Sequence, residues 1–128
     1  MARRVVVVDD NANNLELEVD LFEVAGFEVF AAIDGESALE MVQRELPDVV
    51  VLDVRLPGLS GIEVATALRL DGRTRGIPIV FVTASVMADG RDLIASIARC
   101  GFIGKPINTR TFVAEVSAYF LQKEGGQA

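Results

Sequence analysis

Residues 3–14 read "RRVVVVDDNANN": four β-branched valines, Val5 to Val8, running directly into two carboxylates, Asp9 and Asp10. An apolar run this short and this rich in β-branched side chains suits a strand buried on both faces, as in a parallel sheet. Two adjacent acids at the mouth of such a strand repel each other and both lose water. A positive group therefore belongs beside them.

Outward from this stretch, apolar runs alternate with helix-period segments along the whole chain, with no internal repeat and no interior low-complexity linker. Strands are expected near Val5–Val8, Phe27–Ala32, Val49–Leu52, Ile79–Val82 and Phe102–Gly104, with helices between them and one after the last. The second helix has the clearest stripe, Ala38, Leu39, Val42 and Leu46, and the last helix repeats it with Phe112, Val113, Val116 and Phe120. Gly26 and Gly101 stand where the first and fourth helices should stop, while Pro47 and Pro78 break the chain before the third and fourth strands. This βα alternation predicts an α/β fold, a doubly wound five-stranded parallel sheet of flavodoxin-like order 2-1-3-4-5 with right-handed crossovers. The 128 residues suit one domain over 1–122, with "KEGGQA" at 123–128 a disordered tail or the start of a linker.

Composition narrows the chemistry. The formal charge of -7 argues against a nucleic-acid surface, which needs a basic patch. With no histidine, this chain has no histidine general base, no Ser-His-Asp triad and no histidine metal site. No charge-free stretch approaches the roughly 18 residues that span a bilayer, and no signal-peptide core precedes the first strand, so a cytoplasmic protein is expected. The lone cysteine, Cys100 in "IARCGF", reads as packing.

In doubly wound sheets the site lies beyond the carboxyl ends of the strands. The first strand ends in Asp9 and Asp10, the third in Asp53, the fourth in Thr83 and the fifth in Lys105, whereas Asp34, after the second, should lie outside the crevice. Three acids against one lysine invite a hard divalent cation, Mg²⁺ or Mn²⁺. If a phosphoryl group visits, a fixed carboxylate can attack it to give an acyl phosphate, with lysine and metal neutralising the equatorial oxygens. Asp53 is the best nucleophile, Asp9 and Asp10 look like a metal-holding pair, and Thr83 can donate one hydrogen bond. Singly, each has an ordinary reading: "DDNANN" is rich in turn formers, Asp53 can cap a loop, Thr83 can simply end a strand, and Lys105 can be a solvated charge. Their coincidence at four strand ends favours chemistry. Gly58 and Gly61 in "LPGLSG" read as turn and helix-start residues.

The segments "VVVVDD", "VVVLDVRLPGLSGIE", "PIVFVTAS" and "GFIGKPI" together resemble the receiver domain of bacterial two-component response regulators, the CheY-like superfamily, over nearly the whole chain. "TASVMADGRD" before "GFIGKPI" is most similar to stand-alone regulators of the DivK kind and to receivers of hybrid kinases. The resemblance implies a phosphorylatable switch in which Asp53 accepts a phosphoryl group from a phosphohistidine. It implies that Asp10, Asp53 and the backbone carbonyl of Arg55 ligate Mg²⁺ directly and that Asp9 acts mainly through water. Thr83 and Phe102 match the family's switch pair, although Phe102 also reads as core, and Lys105 matches its lysine, followed by Pro106 in a cis peptide. Implied partners are a histidine kinase or histidine phosphotransfer protein and a downstream protein target, with no nucleic acid or membrane. A dimer formed on phosphorylation is left open. Such a domain assists its own phosphorylation and slow dephosphorylation without being an enzyme. Two other functions compete. A small aspartyl-phosphate phosphohydrolase typically has a second acid two residues after its nucleophile, where this chain has Arg55, and a pseudo-receiver docking module would not need the complete acid, threonine and lysine set.

Overall fold

The computed structural model describes residues 2–84 and 100–125, with side chains to residue 119. The fourth helix expected between the last two strands falls outside the described residues. The strands are β1 (Arg4–Val8), β2 (Glu28–Ala32), β3 (Val49–Asp53), β4 (Ile79–Thr83) and β5 (Cys100–Gly104). All neighbours pair in parallel, in the order β2-β1-β3-β4-β5. The expected sheet and its order are thus observed.

The continuous valine runs follow from burial on both faces, since successive side chains of a strand point to opposite sides. Val6, Val8, Val50, Leu52, Ile79 and Phe81 join one core cluster, which also holds Ala38, Val42, Val64 and Leu68. Val5, Val7, Val49, Val51, Val80 and Val82 join a second, with Phe22, Phe112 and Val116. The first cluster lies under helices α2 (Gly35–Glu45) and α3 (Gly61–Leu70), the second under α1 (Ala12–Val24) and the C-terminal helix (Phe112–Gly125). That last helix reaches into the stretch read as tail.

Side-chain caps define where the helices start. Asn11 accepts the backbone N–H of Asn14 at 3.0 Å, Asp34 that of Ser37 at 2.8 Å, and Ser60 with Glu63 closes a reciprocal capping box at α3. Gly26, with φ of 93°, follows α1 as expected of a helix stop. Two expectations are corrected. Leu46 does not complete the buried stripe of α2: it caps the helix in the left-handed region, with φ of 47°, and is 48% exposed. Gly101 does not end a helix but lies inside β5 opposite Val80. A Cβ there would come within 2.0 Å of the Tyr119 ring, so the position is small because an aromatic from the C-terminal helix lies against the strand. The side chain of Phe120 lies outside the described residues.

Candidate functional site

Because the strands are parallel, their carboxyl ends share one edge of the sheet. Asp9 immediately follows β1, Asp53 closes β3, Thr83 closes β4 and Lys105 immediately follows β5. Asp53 stands opposite Val82, and Thr83 opposite Gly104. Residues scattered over nearly a hundred positions therefore meet in one cleft.

One carboxylate oxygen from each of Asp9, Asp10 and Asp53 lies within 4.8 Å of the other two. Lys105 Nζ donates to Asp9 Oδ2 at 3.0 Å and to Asp53 Oδ2 at 2.8 Å. Burial pulls the Lys105 ammonium down, but these hydrogen bonds outweigh it and its pKa is raised overall. The positive group demanded by the first strand is thus the lysine from the last. Asp9 and Asp53 are buried, whereas Asp10 is exposed, so only one member of the acid pair gives up its water. That corrects the expectation that both do.

Local backbone geometry holds each acid. The N–H of Asn11 donates to Asp9 Oδ1 at 2.9 Å, so "DDNANN" does form a turn on the same carboxylate that meets Lys105. The N–H of Arg55 donates to Asp53 Oδ1 at 3.0 Å. Gly61 begins α3 where a Cβ would come within 2.1 Å of the Asp53 carbonyl oxygen, so its small size lets the helix press against the backbone at the end of β3. Glu36 accepts the N–H of Leu59 at 3.2 Å and steadies the intervening loop, in which Gly58 turns with φ of 72°. Thr83 is buried and Phe102 half-buried. The Lys105–Pro106 peptide is cis. Asp34 stands apart as the α2 N-cap, its pKa lowered by hydrogen bonding to Ser37. Cys100 is half-buried, and burial pushes its thiol up, as suits packing.

Sequence reasoning passed over one residue. Glu18 on α1 is 2% exposed. Burial pushes its carboxyl up to about 8, the negative charge of Asp9 adding to that effect and Lys105 opposing it. The available signal was its position between Leu15 and Phe22, in the middle of the apolar stripe of α1. Glu18 also lines a groove of about 330 Å³, with Asn14 and Leu17 on one side and Lys105, Pro106 and Ile107 on the other.

An all-oxygen trio of carboxylates within this span fits a hard divalent cation. Residues 5–117 match the response regulator receiver domain family. This chain belongs to that family. Among curated receivers it is similar to the polar-differentiation response regulator DivK of Brucella anthropi, 34% identical over 119 residues, covering 93% of this chain and 97% of the relative. Among solved structures it is similar to the chemotaxis response regulator CheY4 of Vibrio cholerae, at a TM-score of 0.87 and 26% identity, covering 93% of this chain and 99% of that one. The receiver domain of the sensor histidine kinase PA1611 from Pseudomonas aeruginosa PAO1, which carries a magnesium ion in its active-site cleft, shares the fold at a TM-score of 0.85 and 22% identity over 94% of this chain and 98% of that one. Receivers are phosphorylatable switches of two-component signalling, and this one is DivK-like. Among the described residues no helix is long and apolar enough to cross a membrane.

Proposed function

We propose that this receiver takes a phosphoryl group from the phosphohistidine of a kinase or phosphotransfer protein onto Asp53, and passes the signal on as a change in its contacts with a downstream target in the cytoplasm. The observation that carries this reading is Lys105 bridging Asp9 and Asp53 beside exposed Asp10. An Asp53 carboxylate oxygen attacks phosphorus, the Asp53 O–P bond forms, and the imidazole leaves with the electron pair of the broken N–P bond. The Lys105 ammonium is already in place to neutralise the transferred oxygens. Asp10, Asp53 and the Arg55 carbonyl would hold a magnesium or manganese ion directly, with Asp9 acting mainly through water, and the ion supplies further positive charge.

Thr83, at the end of the next strand, offers its hydroxyl to a phosphoryl oxygen. Phe102, on β5, then has room to turn, which makes the pair a two-state element. The groove between α1 and Lys105–Ile107 opens beside the cleft and carries half-exposed Leu17, giving the donor protein an apolar foothold.

A phosphohydrolase reading finds no second acid two residues after Asp53, where Arg55 instead donates its N–H to the nucleophile. The test is incubation with a small acyl phosphate and Mg²⁺ followed by intact mass. A lasting adduct of one phosphoryl, absent in Asp53→Asn, is expected. An undiminished adduct in Asp53→Asn assigns the acceptor elsewhere, and rapid phosphate release without an adduct favours a hydrolase.

A further inference from the structure

Residues 54–60 lead from Asp53, the last residue of β3, to Gly61, the first of α3. This loop reaches the cleft directly, because the Arg55 N–H donates to Asp53 Oδ1 at 3.0 Å. Its neck is closed by the Gly61 N–H, which donates to the Val54 carbonyl at 2.8 Å. Its far side is held by another helix. The Gly35 N–H donates to the Pro57 carbonyl at 3.5 Å, and Glu36 Oε1 accepts the Leu59 N–H at 3.2 Å. A Cβ on Gly35 would come within 2.1 Å of the Leu59 carbonyl oxygen, and one on Gly58 within 2.2 Å of Glu36 Oε1. Both glycines thus make room for one contact, in which the first turn of α2 clasps the loop after β3.

Glu36 has an ordinary reading as well, since an acid in the first turn of a helix is favoured by the helix dipole whatever it touches. The geometry is more particular than that. Glu36 is exposed, yet its carboxylate lies against a glycine with φ of 72° and accepts a backbone N–H from a separate element. Holding a long exposed side chain in one place costs rotamer freedom, which the dipole alone does not require. Leu56 and Leu59 pack against the core cluster under α2 and α3, so the loop is fixed between that core and the clasp. We propose that Glu36 is a positioning residue of the phospho-acceptor site. By holding Leu59 it keeps the Arg55 backbone where its N–H orients Asp53 and its carbonyl would meet the ion, and so sets the affinity of the site for a divalent cation. This inference rests on the phospho-acceptor reading above.

The net worth of one hydrogen bond corresponds to about 3 to 10-fold in an equilibrium constant, which sets the scale of the test. Glu36→Gln keeps the reach and an acceptor oxygen but not the charge, Glu36→Asp keeps the charge but is one methylene short, and Glu36→Ala keeps neither. Calorimetric titration with Mg²⁺ should find E36Q close to wild type, and E36D and E36A weaker by about 3 to 10-fold. Without metal, amide hydrogen exchange at Leu59 should be faster in E36D and E36A than in wild type and E36Q. Adduct formation from an acyl phosphate should follow the same ranking at limiting Mg²⁺ and converge at saturating Mg²⁺, where the ion itself holds the loop. Urea unfolding checks that E36A is folded, and Glu36→Ser takes its place if it is not. Wild-type Mg²⁺ affinity in E36A, or wild-type affinity in E36D with E36Q as weak as E36A, would overturn the proposal and leave Glu36 a charge at a helix end. A wild-type protein that binds Mg²⁺ yet forms no adduct overturns the phospho-acceptor reading itself, and this inference with it.

Discussion

The ammonium of Lys105 and the carboxylate of Asp53, 52 residues apart in the chain, meet at 2.8 Å in the cleft. Both side chains are mostly buried, at 18% and 10% exposure, so each depends on the other for charge compensation. Lys105→Met should lower the stability of the metal-free protein by about 2 kcal/mol, because Asp9 and Asp53 then face each other with no cation between them. Added Mg²⁺ should restore part of the loss. Urea unfolding with and without Mg²⁺ checks both outcomes, and a variant as stable as wild type in chelator would show that the bridge contributes nothing.

Glu18 gives the protein a pH dependence of definite sign. Its pKa is raised from 4.5 to about 8, first by burial and then by the charge of Asp9. Below pH 4.5 the group is neutral in both folded and unfolded chains and costs nothing. As pH rises the unfolded chain ionises first, and the contribution is lost between 4.5 and about 8, beyond which both states are charged. Glu18→Gln has no such loss. The stability difference between E18Q and wild type in chelator should grow across this window to on the order of 3 kcal/mol. A difference independent of pH would mean that Glu18 titrates normally.

Tyr119 covers Gly101 and donates its hydroxyl to the Phe102 carbonyl at 3.4 Å. Gly101→Ala should therefore destabilise the fold by about 1–3 kcal/mol through overpacking. A double-mutant cycle with Tyr119→Leu isolates the clash: the cost of the alanine should shrink when the ring is gone. Equal cost in both backgrounds would place the penalty in the backbone of β5.

Thr83→Ala should still accept the phosphoryl group under the proposed function, since Asp53 and Lys105 are untouched. What it should lose is the response at Phe102 and the surface beyond it, because no hydroxyl remains to be drawn to the phosphoryl oxygen. Amide spectra of the phosphorylated variant and wild type test this. A shift as full in the variant as in wild type would uncouple Thr83 from the switch.

Much of this architecture is legible in the chain because the deciding signals are local. Val5–Val8 and Val49–Leu52 announce doubly buried strands by composition and length, and Pro47 and Pro78 mark where β3 and β4 begin. Parallel strands then place Asp9, Asp53, Thr83 and Lys105 on one edge without further information. Gly101 is not legible for the opposite reason. A glycine after an apolar helical pattern looks like a helix stop, and only the Tyr119 ring, 18 positions later, explains it as part of a strand. Leu46 fitted the stripe of α2 by spacing alone, but the helix ends one residue short of it.

By itself the sequence determined the alternation of strand and helix, the order of chemistry-bearing strand ends, and the excess of acid over base at one edge, because these depend on periodicity and residue type. Tertiary structure alone decided how that charge is settled. It buried Asp9 and left Asp10 exposed, brought Lys105 into contact with two carboxylates, and buried the Glu18 carboxyl on the otherwise apolar inner side of α1. Burial and the distance between charges set the strength of every electrostatic contact here, and both come into being only when β1, β3, β5 and α1 pack together.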